Sequence, residues 1–327
     1  MDNPNMDNRN LLLVSNSKTQ TDPRFLGYCE REVQEHFKGV QTVLFIPYAE
    51  PSAVNSIALN ARRARNEPLD IPYSKERRDV YTDYLRGRFQ QMGFNLVGIH
   101  EQDNPIQAIK KAQAVYIGGG NTFDLLRTLN ANGLFEPIQK RVKEGMPYLG
   151  VSAGTVVAGM NIGSSNDNSK PVPSLDALEL VPFCIKPHYQ EPFTISNEDL
   201  ARIRDINVEA ATRLSHQGET HLDRTMEFHH DFPYTVVGLK EGGILHVKGN
   251  TVTLIGNSGA RILPRSTFIT KYEPAQIYEP GSSIDFILQN PPAKVLSEAI
   301  INQAGHATDS WFAHLSDFEK TMFLLRY

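Results

Sequence analysis

Tyr148-Leu149-Gly150-Val151-Ser152-Ala153-Gly154-Thr155 is the stretch on which the reading of this chain turns. Its first four residues form a short apolar run that predicts a buried strand, and Thr155–Ala158 predicts the start of a helix. Between them, Gly150-Val151-Ser152-Ala153-Gly154 has the form G-x-S-x-G at a strand-to-helix turn, the setting of a nucleophile elbow. Such a turn lifts the serine hydroxyl above the sheet edge, and small flanking residues let the backbone fold that sharply. The helix that follows directs its unpaired N–H groups at the same point, where they favour developing negative charge. A glycine-rich connection with an incidental serine would carry the same five letters. The flanking strand and helix are what favour the elbow.

Working outward, short apolar runs alternate with amphipathic stretches. Leu11–Val14, Thr42–Ile46, Leu96–Ile99 and Ala114–Ile117 predict strands. Tyr81, Tyr84, Leu85, Phe89 and Met92 recur at helical spacing, and Ile106–Ala112, Thr122–Leu129 and Pro137–Val142 also predict helices. Alternation with short connections predicts an α/β domain with a mostly parallel sheet covered by helices on both faces. Pro51 to Glu76, rich in arginine and interrupted by Pro68 and Pro72, reads as a surface insertion. Further on, Glu198–Leu214 predicts a helix and Tyr234–Leu239 a strand. Gly249-Asn250 predicts a tight turn joining Ile244–Val247 to Val252–Ile255. Ala293–Asn302 predicts a helix. Trp311, Phe312, Leu315, Phe318, Met322 and Phe323 form an apolar stripe suited to docking on the parent domain or a second subunit. The resulting division is a flexible segment 1–10, a catalytic domain 11–275 with an insertion near 51–76, and a C-terminal extension 276–327.

The chain has 327 residues, 40% of them hydrophobic and 21% charged, with a formal net charge of −4. That balance argues against a general nucleic-acid binder, which carries a basic face. Cys29 and Cys184 lie far apart without metal-ligand spacing and read as reduced, buried thiols. The polar start MDNPNMDNRN lacks the features of a signal peptide. No apolar run approaches the ~20 residues needed to span a bilayer. The expected setting is the cytoplasm, with no membrane partner.

Two further segments carry chemistry. Gly118-Gly119-Gly120-Asn121-Thr122 follows a predicted strand and opens a helix. Backbone without Cβ atoms approaches a ligand closely, so the N–H of Gly119 or Gly120 suits a second oxyanion donor. The spacing matches neither the dinucleotide G-x-G-x-x-G pattern nor a Walker loop, so no nucleotide is expected. A serine nucleophile also needs a base. His188, in Pro187-His188-Tyr189, follows the apolar run Phe183–Ile185, and catalytic side chains gather at strand ends. Its imidazole needs a carboxylate to fix the tautomer, for which Glu241 and Asp167 are both candidates. His216, His221, His229 and His230 cluster without metal-ligand spacing, so no metal is expected.

Ordered along most of the chain, the segments Leu11–Ser17, Phe45-Ile46-Pro47, Gly98-Ile99-His100, Gly118–Phe123, Ser152-Ala153-Gly154, Asn166-Asp167, Asp176-Ala177-Leu178, Pro187-His188, Gly218-Glu219-Thr220 and Leu239–Gly242 resemble the peptidase E family of serine dipeptidases. The resemblance covers roughly residues 11–265. It implies a three-layer doubly wound fold like that of the class I glutamine amidotransferases, with serine in place of their cysteine. It further implies a triad of Ser152, His188 and Glu241, oxyanion donors on Gly119 and Ala153, and substrate contacts from Gly120, Asn121 and Asp167. No cofactor is implied.

One position departs from the pattern. Aspartate-specific members carry arginine directly after Gly-Glu-Thr, where this chain has His221. Arginine is always charged and matches a carboxylate with a planar fork, whereas histidine is only partly protonated at neutral pH. Arg224, three residues on, is a helical neighbour able to substitute. The expected function is hydrolysis of dipeptides or short peptides with an N-terminal aspartate or a related residue, in a chain able to form a homodimer. The alternatives are a hydrolase of changed specificity resembling the cyanophycinases, and a non-catalytic peptide-binding sensor.

Overall fold

The structure, a computed structural model, describes residues 8–50, 75–165, 171–191, 201–202, 204, 220–264 and 276–289. Most of the 51–76 insertion, Asp167, His216, the Glu198–Leu214 helix apart from residues 201, 202 and 204, and the C-terminal apolar stripe lie outside the described residues. So does most of the segment read as a flexible start. The chain divides into Met1–Asn290 and Pro291–Tyr327, and everything described below belongs to the first unit.

Strands β1 (Asn10–Val14), β2 (Thr42–Ile46), β3 (Asn95–Gly98), β4 (Ala114–Ile117) and β5 (Tyr148–Val151) form the parallel part of a seven-stranded sheet. Its order is β3-β2-β4-β5-β1, continued by the antiparallel hairpin β8 (Gly243–Lys248) and β9 (Thr251–Gly256). Gly249-Asn250 makes the two-residue turn of that hairpin, with Lys248 opposite Thr251. Four of the parallel strands, β1, β2, β4 and β5, read as nearly continuous apolar runs because both faces are covered. Leu11, Leu13, Leu44, Ile46, Val115, Ile117 and Tyr148 enter one core, while Leu12, Val14, Val43, Phe45, Ala114, Tyr116, Leu149 and Val151 enter the other. Alternate residues point to opposite faces of a strand, so a parallel sheet between two layers leaves no polar register.

The second core is closed by helices α1 (Glu30–His36) and α2 (Lys75–Gln91), through Val33, Tyr81, Leu85 and Phe89. Tyr81, Leu85 and Phe89 are spaced by four and make one buried stripe. Tyr84, read into that stripe from its spacing, is instead half exposed, with its ring edge-on to Phe25. The first core receives α3 (Pro105–Lys111), α4 (Thr122–Ala131), α5 (Phe135–Lys143) and the single turn α6 (Ala153–Val156). Asn104 and Asn121 cap α3 and α4 by accepting the N–H groups of Gln107 and Asp124. Helix α6 begins two residues before the predicted start at Thr155, so the turn directly abuts the serine. The missed α1 has only Val33 and His36 buried among seven residues, too few to register as an amphipathic period.

The main departure from expectation is a second, four-stranded sheet. It pairs β6 (Cys184–Tyr189) in parallel with β7 (Val236–Lys240), then adds β10 (Ala260–Leu263) and β11 (Gln276–Tyr278) antiparallel. The strands β10 and β11 are short and were not legible as strands. Through β11, and through the buried Ile284 and Ile287 in the first core, residues 276–289 belong to the same unit as the rest. Cys29 and Cys184 are free and buried, and burial pushes both thiols up to about 12.

Candidate active site

Strand β5 runs between β4 and β1 and ends at Ser152, whose backbone has φ 50° and ψ −109°. A non-glycine residue with φ in this region costs of order 1–3 kcal/mol and persists only where its surroundings over-determine it. Here the Ser152 N–H donates to the Val14 carbonyl at 3.0 Å. The Thr155 hydroxyl bonds the carbonyls of Val14 and Gly150 at 2.7 and 2.8 Å. The Tyr148 hydroxyl donates to the Gly154 carbonyl at 2.6 Å. A Cβ on Gly154 would lie 2.0 Å from the Ile117 carbonyl oxygen, so the last glycine of the pentapeptide is required by the close approach of β4.

Ser152 Oγ lies 2.8 Å from His188 Nε2, and His188 Nδ1 lies 2.5 Å from Glu241 Oε1. One assignment of protons satisfies both bonds: Nδ1–H donates to the carboxylate, and the serine hydroxyl donates to Nε2. His188 reaches this position through an irregularity in β6. Lys186 pairs Gly238 and Tyr189 pairs Lys240, so β6 carries one extra residue between those pairs. Bulges of this kind re-aim a side chain, and His188 sits there with φ +57°. Glu241 lies in the turn from β7 to β8, the crossing from the small sheet to the large one. The His188 and Glu241 side chains are about half exposed, at 45% and 51%, so water screens their contact and the value of the hydrogen bond lies in orienting the ring.

Gly119 faces the serine. A Cβ built there would stand 3.1 Å from Ser152 Cβ and 3.3 Å from the Val151 carbonyl oxygen. The Tyr81 hydroxyl donates to the Gly119 carbonyl at 3.3 Å, and burial holds its phenol well above the usual range, so it stays protonated. Tyr81 read only as a core residue in the sequence, since an i, i+4 stripe does not tell which member has a polar tip at a loop. The N–H of Ala153 opens α6 and has no intrahelical acceptor. With one turn of helix behind it, its contribution is that of a local donor rather than of a long dipole. Gly120 and Asn121 continue the Gly119 loop, with Asn121 Oδ1 taken by the α4 cap.

Helix α7 (His221–Asp231) starts at a capping box formed by Thr220 and Asp223. His221 is its first residue, and its ring stands edge-on to Tyr189, the chain neighbour of His188, with centroids 5.7 Å apart. Arg224 lies one turn further along the same helix, its N–H bonded to the Thr220 carbonyl at 3.1 Å. The structure thus brings Ser152, His188, Glu241 and Gly119 together and carries His221 to the residue beside the histidine. Asp167 lies outside the described residues.

Among the described residues one grouping has metal-ligand character, Asp79, His100 and Glu101, with ligand atoms within 4.8 Å of one another. Arg86 is already ion-paired with Glu101, and His100 Nε2 lies 3.0 Å from Asp79 Oδ1, so these groups are engaged with one another and with a cation of the chain. His229 is bonded through Nε2 to the Tyr234 carbonyl at 3.0 Å. No described helix is long and apolar enough to cross a membrane.

The model of peptidase family S51 matches residues 52–255. A Drosophila melanogaster protein named "Probable alpha-aspartyl dipeptidase" is 37% identical over 262 residues, covering 78% of this chain and 89% of its own length. A Streptomyces coelicolor protein named peptidase E is 37% identical over 200 residues, 60% of this chain and 74% of its own. The crystal structure of a peptidase from an acI-B1 Actinobacterium superposes with a TM-score of 0.53 at 17% identity, covering 86% of this chain and 98% of that one; it bears on the fold alone. The family match spans more than half of the residues and the Drosophila relative matches over most of both chains, so this chain belongs to peptidase family S51.

Proposed function

We propose that the chain is a serine dipeptidase that releases an N-terminal acidic residue through an acyl-enzyme. The observation that carries the reading is the unbroken hydrogen-bonded run from Ser152 Oγ through His188 to Glu241. In this mechanism Ser152 Oγ attacks the scissile carbonyl carbon while His188 Nε2 takes its proton. The carbonyl oxygen becomes an oxyanion facing the N–H groups of Ala153 and Gly119. His188 then gives the proton to the leaving amine, the C–N bond breaks, and the N-terminal residue stays esterified to Ser152. Water, deprotonated by the same histidine, hydrolyses the ester. Glu241 holds the imidazole in the tautomer that accepts at Nε2 and offsets the charge it gains. No step calls for a metal or a cofactor.

Selection of an acidic side chain needs a cation. His221 and Arg224 on α7 are the candidates, with Gly120, Asn121 and Asp167 completing the substrate contacts. The names of the Drosophila and Streptomyces relatives support the substrate class. We further read the fold as of the class I glutamine amidotransferase type, residues 276–327 as a C-terminal extension for docking or oligomerisation, and the protein as cytoplasmic and without a nucleic-acid partner.

The test is amino-acid release from Asp-Leu, Glu-Leu, Asn-Leu, Ala-Leu and Leu-Leu by the wild type and Ser152→Ala. Clear preference for Asp-Leu, lost in Ser152→Ala, supports the reading, and Arg224→Ala then separates the two cations. Turnover surviving in Ser152→Ala overturns the mechanism, and absence of an acidic preference overturns the specificity. Should His221 read the carboxylate, the preference for Asp-Leu over Ala-Leu rises as pH falls from about 8 to 6; a flat ratio assigns it to Arg224.

A further inference from the structure

Three consecutive residues at the end of β1 each hold the backbone of a different part of the Ser152–His188–Glu241 set. The Val14 carbonyl accepts the Ser152 N–H at 3.0 Å. The Ser15 hydroxyl accepts the His188 N–H at 2.9 Å and donates its own proton to the Leu239 carbonyl at 3.1 Å. Asn16 Oδ1 accepts the N–H of Gly242, the residue after Glu241, at 2.7 Å. The segment is itself anchored: the Ser15 N–H donates to the Gly243 carbonyl at 3.0 Å, and the Tyr28 hydroxyl donates to the Asn16 carbonyl at 2.9 Å.

The Val14 contact is main chain to main chain and would survive most side chains. The other two depend on the side chains present. Ser15 is wholly buried and Asn16 is 4% exposed, so water has no access to replace either bond if it is lost. The segments they hold are ones that would not keep their shape unaided. His188 has a left-handed φ of +57° at an irregular point in β6, and Gly242 has φ +82° in a turn that links two sheets. Glu241 and His188 are both about half exposed, so packing around their side chains does not fix them. Their geometry has to be set through the backbone beneath.

We propose that Ser15 and Asn16 are the positioning residues of this site. Ser15 sets the main chain of His188 so that Nε2 meets Ser152 Oγ, and Asn16 sets the turn so that the Glu241 carboxylate meets Nδ1. Neither touches a reacting atom. The inference rests on reading Ser152, His188 and Glu241 as catalytic. It adds that the end of the first strand, 173 residues ahead of the histidine and 226 ahead of Gly242, assembles them.

The test compares Ser15→Ala, Asn16→Ala, Asn16→Asp and Ser152→Ala with the wild type. Steady-state hydrolysis of Asp-Leu is measured well below each variant's melting midpoint, together with the rate at which a fluorophosphonate probe labels Ser152. Both alanine variants are expected to lose about tenfold to hundredfold in kcat with KM nearly unchanged, because misplacement of a catalytic group acts on the chemical step. Probe labelling should slow in parallel. Asn16→Asp keeps an oxygen able to accept the Gly242 N–H and should recover part of the loss. Folded alanine variants with wild-type kcat and labelling, lower only in melting temperature, overturn the proposal, as does a rise in KM alone. Where Ser15→Ala does not fold, Ser15→Cys, nearly isosteric but a weaker acceptor, must still lower kcat, and wild-type kcat in it is equally fatal. Turnover surviving in Ser152→Ala strikes the catalytic reading itself, whatever Ser15 and Asn16 do.

Discussion

Ser152 and His188, which share the 2.8 Å bond between Oγ and Nε2, both have left-handed backbones, at φ +50° and +57°. Each stands where a strand of its own sheet ends or becomes irregular, β5 for the serine and β6 for the histidine. Of the five described non-glycine residues with positive φ, these two are the ones whose side chains must meet.

Relief of the strain at Ser152 is measurable. Ser152→Gly is expected to raise stability by about 1 kcal/mol while abolishing hydrolysis, since glycine adopts positive φ freely and the gain is offset only in part by its unfolded-state entropy. Ser152→Ala keeps the Cβ and the strain, so it should lose activity without that gain. Urea unfolding of both variants checks the difference, and equal stabilities would mean that the elbow is not strained.

Gly119→Ala tests the oxyanion side. Its new Cβ, 3.1 Å from Ser152 Cβ and 3.3 Å from a main-chain oxygen, would force a shift of a few tenths of an ångström at the reacting centre. A drop in kcat of about tenfold to hundredfold in a folded protein is expected. Tyr81→Phe removes the hydroxyl that bonds the Gly119 carbonyl and neighbours the Tyr116 hydroxyl and should give a milder loss of several-fold, again in kcat. Gly154→Ala, placed 2.0 Å from the Ile117 carbonyl oxygen, should instead fail to yield soluble folded protein.

Glu241→Gln preserves the shape beside His188 Nδ1 and removes the charge. With the pair half exposed, water screens the loss, so kcat is expected to fall by about a hundredfold, less than for a fully buried carboxylate. Ser152→Ala should lower kcat much further. Hydrolysis of Asp-Leu by the two variants gives the ratio. Similar residual rates would mean that Glu241 is indispensable and not merely orienting.

Acid should destabilise the fold through His36. This histidine is buried on α1 beside the His246 ring, with centroids 6.1 Å apart. Burial, then His246, hold its pKa down to about 3; burial lowers His246 as well. In the unfolded chain a histidine titrates near 6.5. Below that pH the unfolded state takes up a proton that the folded state refuses. The stability present above about pH 6.5 is therefore lost as pH falls toward 3, with a slope approaching about 1.4 kcal/mol per pH unit. His36→Leu should flatten urea-derived stability between about pH 6 and 4 by nearly that slope. An unchanged slope would mean that His36 does not titrate as placed.

Much of this architecture was legible from local pattern. The strands β1, β2, β4 and β5 and helices α3, α4 and α5 lie within a residue or two of the predicted segments, because a strand buried on both faces writes itself as an unbroken apolar run. The same reasoning missed β10 and β11, with four and three residues, because so short a segment has no period to detect. Tyr84 had the right spacing and the wrong face, because its ring packs at the helix margin on Phe25 rather than on the sheet.

For the site, the sequence by itself determined the elbow. A glycine two residues to either side of Ser152, a strand before it and a helix after it are properties of neighbouring residues. Ser152, His188 and Glu241 were brought together by family resemblance, and no local pattern selected His188 from the ten histidines. Only the tertiary structure decided how they meet. The histidine depends on a one-residue irregularity between β6 and β7, the carboxylate on the turn that joins the two sheets, and both on Ser15 and Asn16 at the end of β1. These relationships are set by strand register and by hydrogen bonds between segments far apart in the chain, so they have no period or composition to betray them and exist only once the sheets have assembled.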